Sequence, residues 1–229
     1  MKRGKKYIKT TKGLDREQTY SVADGIKKVK TLSYSKFTGT LELHVDIKVP
    51  KDRDPKSIKG AISLPNASGN KVVRVAVFAT PDKDAAAKEA GADLVGMEQL
   101  MKDVKEGKIE FDVAIATPSV MPKIAVLGKE LGPKGLMPSP KNGTVTDDVA
   151  TAVSEYKKGK QTFACDDSGV IHMNVGKLDM EDVKLVENVH AGVASIVEVL
   201  AKPVDQVIQR IHLAPTMGAS VKVAYSKPE

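Results

Sequence analysis

The amino-acid sequence predicts an α/β segment set inside an α+β chain, and changes of pattern along it carry that prediction. From Thr40 to Val49 apolar and polar residues alternate without a break. Leu41, Leu43, Val45, Ile47 and Val49 fall on one face, and Thr40, Glu42, His44, Asp46 and Lys48 on the other. Period-two alternation marks a strand with one buried face, the usual pattern of an antiparallel sheet. Beyond Pro65, Val72 to Ala79 instead reads VVRVAVFA, nearly continuous in apolar residues, as in a parallel strand covered on both faces. Past Gln161 the alternating pattern returns.

The remaining elements follow from start and stop signals. After the covered strand comes a short helix, with Asp82 as candidate N-cap and Gly91 just past its end, then a brief apolar piece at Ala92 to Val95. A helix from about Met97 to Lys105, a covered strand from Phe111 to Ala116 and a helix around Val120 to Glu130 continue the series. A loop rich in Gly, Pro and Lys leads through Asn142-Gly143 to a helix from about Asp147 to Lys158, closed by Gly159. Strands alternating with helices indicate a small open α/β domain, about 66–158. The chain then resumes with a strand to Cys165, the turn Asp166-Asp167-Ser168-Gly169, a strand to Val175 and a long helix from about Asp179 to Ala201, stopped by Pro203. That helix carries Val183, Val186, Val189, Val193, Ile196, Val197 and Leu200 at helical spacing, a core face. Two last strands, Ile211 to Leu213 and Val221 to Tyr225, flank a Thr-Met-Gly loop. The crossings near 64–70 and 157–160 are expected to act as a hinge.

Composition narrows the function. The 229 residues are 41% hydrophobic, enough to bury the cores of two small domains. No stretch reaches 18 apolar residues and no apolar run follows the charged N-terminus, so neither a membrane span nor a secretory signal is expected, and the cytoplasm is the expected home. Cys165 is the single cysteine and has no disulfide partner. His44, His172, His190 and His212 fall on separate elements without metal-ligand spacing, so no metal or other cofactor is expected. The net charge of +7 is localised: residues 1–30 hold ten Lys and Arg against three Asp and Glu, while the rest hold 26 of each sign. A basic arm of this kind suits a phosphate backbone, with binding that falls as salt rises, or an anionic lipid surface, although a solvated tail has the same composition. The absence of an apolar helical face in the arm counts against the lipid surface.

The densest pattern is Leu127 to Thr146, LGKELGPKGLMPSPKNGTVT. Its glycines permit close approach, its prolines stiffen the loop and its lysines offer point charges, the make-up of an ordered contact loop. A nucleotide-binding α/β enzyme using this loop as a phosphate cradle is the alternative. The specific tests go against it: no GxxxxGKS or GxxxxGKT occurs, no GxGxxG follows Val72 to Ala79, and no GxSxG elbow singles out a nucleophile.

This run, together with Met121-Pro122, Gly176-Lys177 and Thr216-Met217-Gly218, resembles the L-one family of large-subunit ribosomal proteins of bacterial type, over nearly the whole chain. The resemblance implies that the two end segments, 1–65 and 159–229, form one split α+β sandwich domain with an antiparallel sheet, and that 66–158 is an inserted Rossmann-like three-layer α/β domain. It further implies a cytoplasmic, ribosome-bound, non-enzymatic protein, monomeric when free. Such a protein would bind 23S rRNA at the mobile stalk, contact or help release exit-site tRNA, and repress translation from its own mRNA leader. The implied rRNA-binding residues are Lys36, Phe37, Thr40, Glu42, Asp166, Ser168, Thr216, Met217 and Gly218. A second-domain contact loop comprises Gly132, Pro133, Lys134, Gly135, Met137, Pro138 and Lys141. On residue type alone Phe37 reads as a core residue; as a family contact it would be exposed and stack on a base or ribose. Glu42 would accept from a ribose 2′-hydroxyl. The chain departs from the family pattern at Ala164 and Asp167, where Arg and Lys are usual, at Asn66-Ala67 in place of His-Gly, and at Ala214-Pro215 before Thr216.

Overall fold

The structure is a computed structural model that describes residues 4–49, 54–66, 73–107 and 109–225. In chain order its elements are α1 (Lys5–Thr10), β1 (Thr19–Tyr20), α2 (Val22–Leu32), β2 (Thr40–Ile47), β3 (Lys59–Ser63), β4 (Val75–Phe78), α3 (Pro81–Glu89), β5 (Leu94–Val95), α4 (Glu98–Lys105), β6 (Val113–Ala116), α5 (Met121–Ile124), α6 (Gly128–Leu131), α7 (Val149–Lys157), β7 (Lys160–Ala164), β8 (Val170–Lys177), α8 (Asp182–Leu200), α9 (Val204–Val207), β9 (Ile208–Pro215) and β10 (Val221–Val223). The chain divides into two compact units: Met1–Gly69 with Thr162–Glu229, and Asn70–Gln161. The fold is mixed α/β and α+β, with the sheets of the two units separate. Of the expected hinge, residues 67–70 lie outside the described residues.

In the first unit a five-stranded sheet has the order β1-β10-β9-β2-β8. Every neighbouring pair is antiparallel except β1 with β10. The alternation along β2 is realised residue by residue: Leu41, Leu43, Val45 and Ile47 are buried, and the residues between them are half-buried. The buried row joins a core built with α2 and α8. Helix α2 was missed in the sequence, where the first thirty residues read as a basic arm. Val22, Ile26, Val29 and Leu32 recur at helical spacing and are buried, and Ser21 caps the helix by accepting from Asp24 N–H at 3.1 Å. Lys30, on the same helix, donates to Asp182 and to Met180 O, both at 2.6 Å, and Tyr7 and Leu14 pack against the core. The segment is therefore largely folded structure; Lys2 and Arg3 lie outside the described residues.

Helix α8 buries Leu185, Val189, Val193, Ile196 and Leu200, but Val183, expected on that face, is 68% exposed in the first turn. At Gly192 a Cβ would stand 2.9 Å from Leu43 Cδ2 and 3.0 Å from Met173 Sδ, so the missing side chain lets the helix settle on the sheet. The other flank of the first-unit core carries the β3-β7 ribbon, where Phe163 is buried.

The second unit has a parallel sheet of order β5-β4-β6. Every residue of β4 is buried, as its unbroken apolar run requires. Ala76 and Phe78 join a core with α4, α5 and α6, while Val75 and Val77 join a second core with α3 and α7, which makes three layers. Two boundaries differ from expectation. Helix α3 is capped at Thr80 rather than Asp82, because Pro81 fits the first helical position, where its missing N–H costs nothing. The helix expected over 120–130 is broken into α5, a 3₁₀ turn at Ala125–Leu127 and α6.

Candidate nucleic-acid interface

The helices cover one face of the five-stranded sheet and leave the other carrying Thr40, Glu42, His44 and Asp46 on β2, His172 and Asn174 on β8, Arg210 and His212 on β9, and Lys222 on β10. At the Thr40 end two loops meet. Thr216 N–H donates to Thr40 O at 3.0 Å, Thr40 N–H donates to Thr216 Oγ1 at 2.9 Å, and Tyr34 N–H donates to Met217 O at 3.3 Å. Ser35 Oγ donates to Phe37 O at 2.7 Å and steadies the first loop. The result holds Lys36, Phe37, Thr216 and Met217 outward, with Phe37 58% and Met217 40% exposed. Phe37 is thus a surface residue. Two large apolar side chains from neighbouring loops are left open to solvent at one end of the face. Gly218 has a local reason of its own: a Cβ there would lie 2.8 Å from Leu32 O and 2.5 Å from Pro215 Cγ.

Asp166 and Ser168 do not join that cluster. Asp46 pairs with Val170 and Ile47 N–H donates to Gly169 O, so the 166–169 turn stands at the other end of β2. Six residues along a strand separate Thr40 from Asp46, about 20 Å at ~3.4 Å each. Asp166 Oδ1 accepts from Ser168 N–H at 2.9 Å and Val170 N–H at 2.7 Å, a side-chain-closed turn. The Val170 N–H, with His172 and Ser168, holds the Asp166 carboxyl below the usual carboxylate range. Ser168 is exposed, and so are Ala164 and Asp167, the two departures in charge.

Between the two ends lies a feature the sequence reading missed. Pairing sets His44 opposite His172 on one side and His212 on the other, so three of the four histidines form one row across the open face. Strand alternation showed which face His44 takes, but the order of the strands was not legible.

In the second unit, Gly132, Pro133, Lys134 and Gly135 form an exposed turn, Lys141 is exposed, Met137 is half-buried against the core and Pro138 is buried. Leu127 and Leu131 anchor the start of the loop. Thr144 clamps its middle, donating to Ser139 O at 3.0 Å and accepting from Ser139 N–H at 2.8 Å. Tyr156, whose burial pushes its hydroxyl pKa up to about 12, donates to Asn142 O at 2.7 Å. The loop is ordered from beneath and presents its Gly-Pro-Lys-Gly tip to solvent. The rival phosphate cradle belongs elsewhere in such a sheet, beyond the carboxyl end of the central strand β4. There α3 opens with Pro81, which has no N–H, and sets Asp82 and Asp84 in the first turn. Both features oppose an anion at that helix terminus.

Comparison with known proteins gives first the class: a structural, non-enzymatic protein of the ribosome. Residues 27–219 match the family described as Ribosomal protein L1p/L10e family. Two curated relatives, each named large ribosomal subunit protein uL1, come from the Ames and Paris lines of Leptospira biflexa serovar Patoc strain Patoc 1. Each is 43% identical over 226 residues, which cover 97% of this chain and 96% of the relative. The chain belongs to the ribosomal protein L1p/L10e family. It is a structural constituent of the large ribosomal subunit, and its place is the cytoplasmic ribosome.

Proposed function

We propose that the first unit binds a structured stalk segment of 23S rRNA through the open face and its two ends. Lys36, Phe37, Thr40, Glu42, Thr216, Met217 and Gly218 act at one end, and Asp166 and Ser168 at the other. The observation that carries this reading is the outward placement of Phe37 and Met217 beside Lys36, which gives one aromatic stacking surface and one soft apolar surface next to a cation. Aromatic stacking serves unpaired bases, phosphate contacts position the RNA, and Glu42 accepts from a 2′-hydroxyl, which favours RNA over DNA. The exposed tip of the second unit, Gly132-Pro133-Lys134-Gly135 with Lys141 nearby, would contact tRNA leaving the exit site. Repression of the protein's own mRNA leader would use the first-unit face on an rRNA-like hairpin, and the free protein would be monomeric.

The test is titration of the purified protein with a stalk rRNA fragment and with a scrambled RNA of equal length across a salt series. Phe37→Ala should weaken fragment binding by about tenfold, the loss of one ~1–3 kcal/mol stacking contact, and Met217→Ala, which removes an apolar surface for a sugar or base edge, should weaken it in the same direction, while the salt slope stays nearly fixed. Equal binding to both RNAs, unaffected by either variant, would overturn the assignment. For repression, a leader-reporter assay in which the Phe37→Ala, Met217→Ala double variant still represses would exclude a shared face.

A further inference from the structure

The two ends of the open face are linked by a file of four side chains. Glu42 Oε2 stands 3.5 Å from His44 Nε2, His44 Nδ1 stands 2.6 Å from His172 Nδ1, and His172 Nε2 stands 3.5 Å from Asp166 Oδ2. The two rings meet edge to face, with centroids 4.9 Å apart. The protons in this file can be counted. The short Nδ1 to Nδ1 contact needs one proton between two ring nitrogens, since two N–H groups would repel and two lone pairs would not bind. Each Nε2 stands 3.5 Å from a carboxylate oxygen, an approach that a proton on that nitrogen favours and a lone pair opposes. Two neutral rings could meet the two hydrogen bonds, but only by turning a lone pair of His44 Nε2 toward the Glu42 carboxylate. All three contacts are attractive together with three protons on the two rings, which is one imidazolium and one neutral imidazole.

We propose that His44 and His172 form a singly protonated pair that positions Glu42 and Asp166 for RNA, making the two ends of the face one interface whose affinity depends on pH. This rests on the RNA-binding reading of the face. Burial holds His44 below the ordinary imidazole range, and His172 and His212 push it further in the same direction. His44 is therefore the neutral member: its Nδ1 accepts from His172 Nδ1–H and its Nε2–H points to Glu42. Among the described residues, the other titratable and charged groups that pairing sets on the same face are Asp46 on β2, Arg210 and His212 on β9 and Lys222 beyond them on β10. Removing the third proton leaves one carboxylate without its donor and makes the file more negative beside a phosphate backbone, so both effects weaken RNA binding as pH rises. Adding a fourth sets two N–H groups against each other and breaks the pair.

The test has two arms. Long-range ¹H–¹⁵N spectra of the histidine rings in the free full-length protein should show two separated, coupled steps as pH rises. In the interval between them one ring is charged and His44 is neutral with Nδ1 unprotonated. In His172→Gln the remaining His44 ring should titrate in a single step. Two rings titrating independently, or a neutral His44 that carries its proton on Nδ1, would overturn the pair.

The second arm measures affinity for the stalk rRNA fragment against pH, with scrambled RNA as the control for simple phosphate attraction. Wild-type affinity should fall about tenfold through the upper step, the size of one charge-assisted hydrogen bond, and His44→Gln and His172→Gln should bind more weakly with a flatter profile. A variant that keeps both the wild-type affinity and its pH profile would overturn the positioning role. Failure of the wild type to bind the fragment would overturn the RNA reading and that role with it, while the ring spectra still decide whether the pair exists.

Discussion

Asn188 is fully buried on α8, yet its amide is fully used: Nδ2 donates to Val175 O at 2.6 Å and to Asn66 O at 2.9 Å, and Oδ1 accepts from Asn66 N–H at 3.0 Å. Asn66 replies on the surface by donating from Nδ2 to Glu187 at 2.7 Å, which gives the departure from the family's usual histidine a local purpose. Replacing Asn188 by Leu keeps the volume but strips partners from three backbone groups, so unfolding in urea should show a loss of about 2–4 kcal/mol. Cys165 sits at the other extreme. It is buried beside Asp166, and desolvation, with the carboxylate adding to it, pushes the thiol up to about 11. Thiolate, the reactive form, is then scarce at neutral pH. Alkylation of the native protein should run about a hundredfold slower than that of the urea-unfolded chain, and equal rates would show an accessible thiol. Phe37 shows how far single residues could be read in advance. The type suggested core, and only the family resemblance pointed to the surface.

At the scale of elements, strands β2 and β4 were legible because each pattern has one structural meaning: alternation for a sheet open on one side, an apolar run for a sheet covered on both. Helix α2 was lost to its own charge. Lys27, Lys28 and Lys30 caught attention while Val22, Ile26, Val29 and Leu32 carried the fold. The break at 125–127 and the first-turn proline of α3 depend on packing and on capping geometry that composition does not report. The geometry also fixes how tightly α8 must sit. With Leu43 and Met173 within 3.0 Å of a would-be Cβ at Gly192, Gly192→Ala should cost about 1–3 kcal/mol in thermal or urea unfolding, as overpacking does. A neutral or stabilising result would mean that the sheet yields at that contact.

For the whole molecule, the division into a split unit and an insert was visible in the sequence as a change of style, but the union of the two ends was not, since strand order is a property of pairing at long range. The residues that family resemblance groups as one platform stand at opposite ends of β2, and only the fold shows the histidine file between them. The insert has its own two cores, and the first unit keeps its own, so replacing 70–161 by a short Gly/Ser linker should leave the five-stranded sheet and stalk-RNA binding intact. Circular dichroism and RNA titration read both, and loss of the sheet would show that the first unit needs its insert.

Strand order also sets a timetable for synthesis. Strand β2 is flanked by β8 and β9, and β1 lies against β10, so the first strands made have no sheet partners until the last third of the chain exists. The insert completes its parallel sheet well before that, with every strand drawn from residues 75–116. At ~5–20 residues per second a ribosome takes on the order of ten seconds or more to go from Ile47 to Val223. Until β8 and α8 have been made, over residues 170–200, Leu41, Leu43, Val45 and Ile47 await cover. The insert can therefore close its sheet before the first unit closes its own, and the earliest strands are the ones that wait longest for their partners.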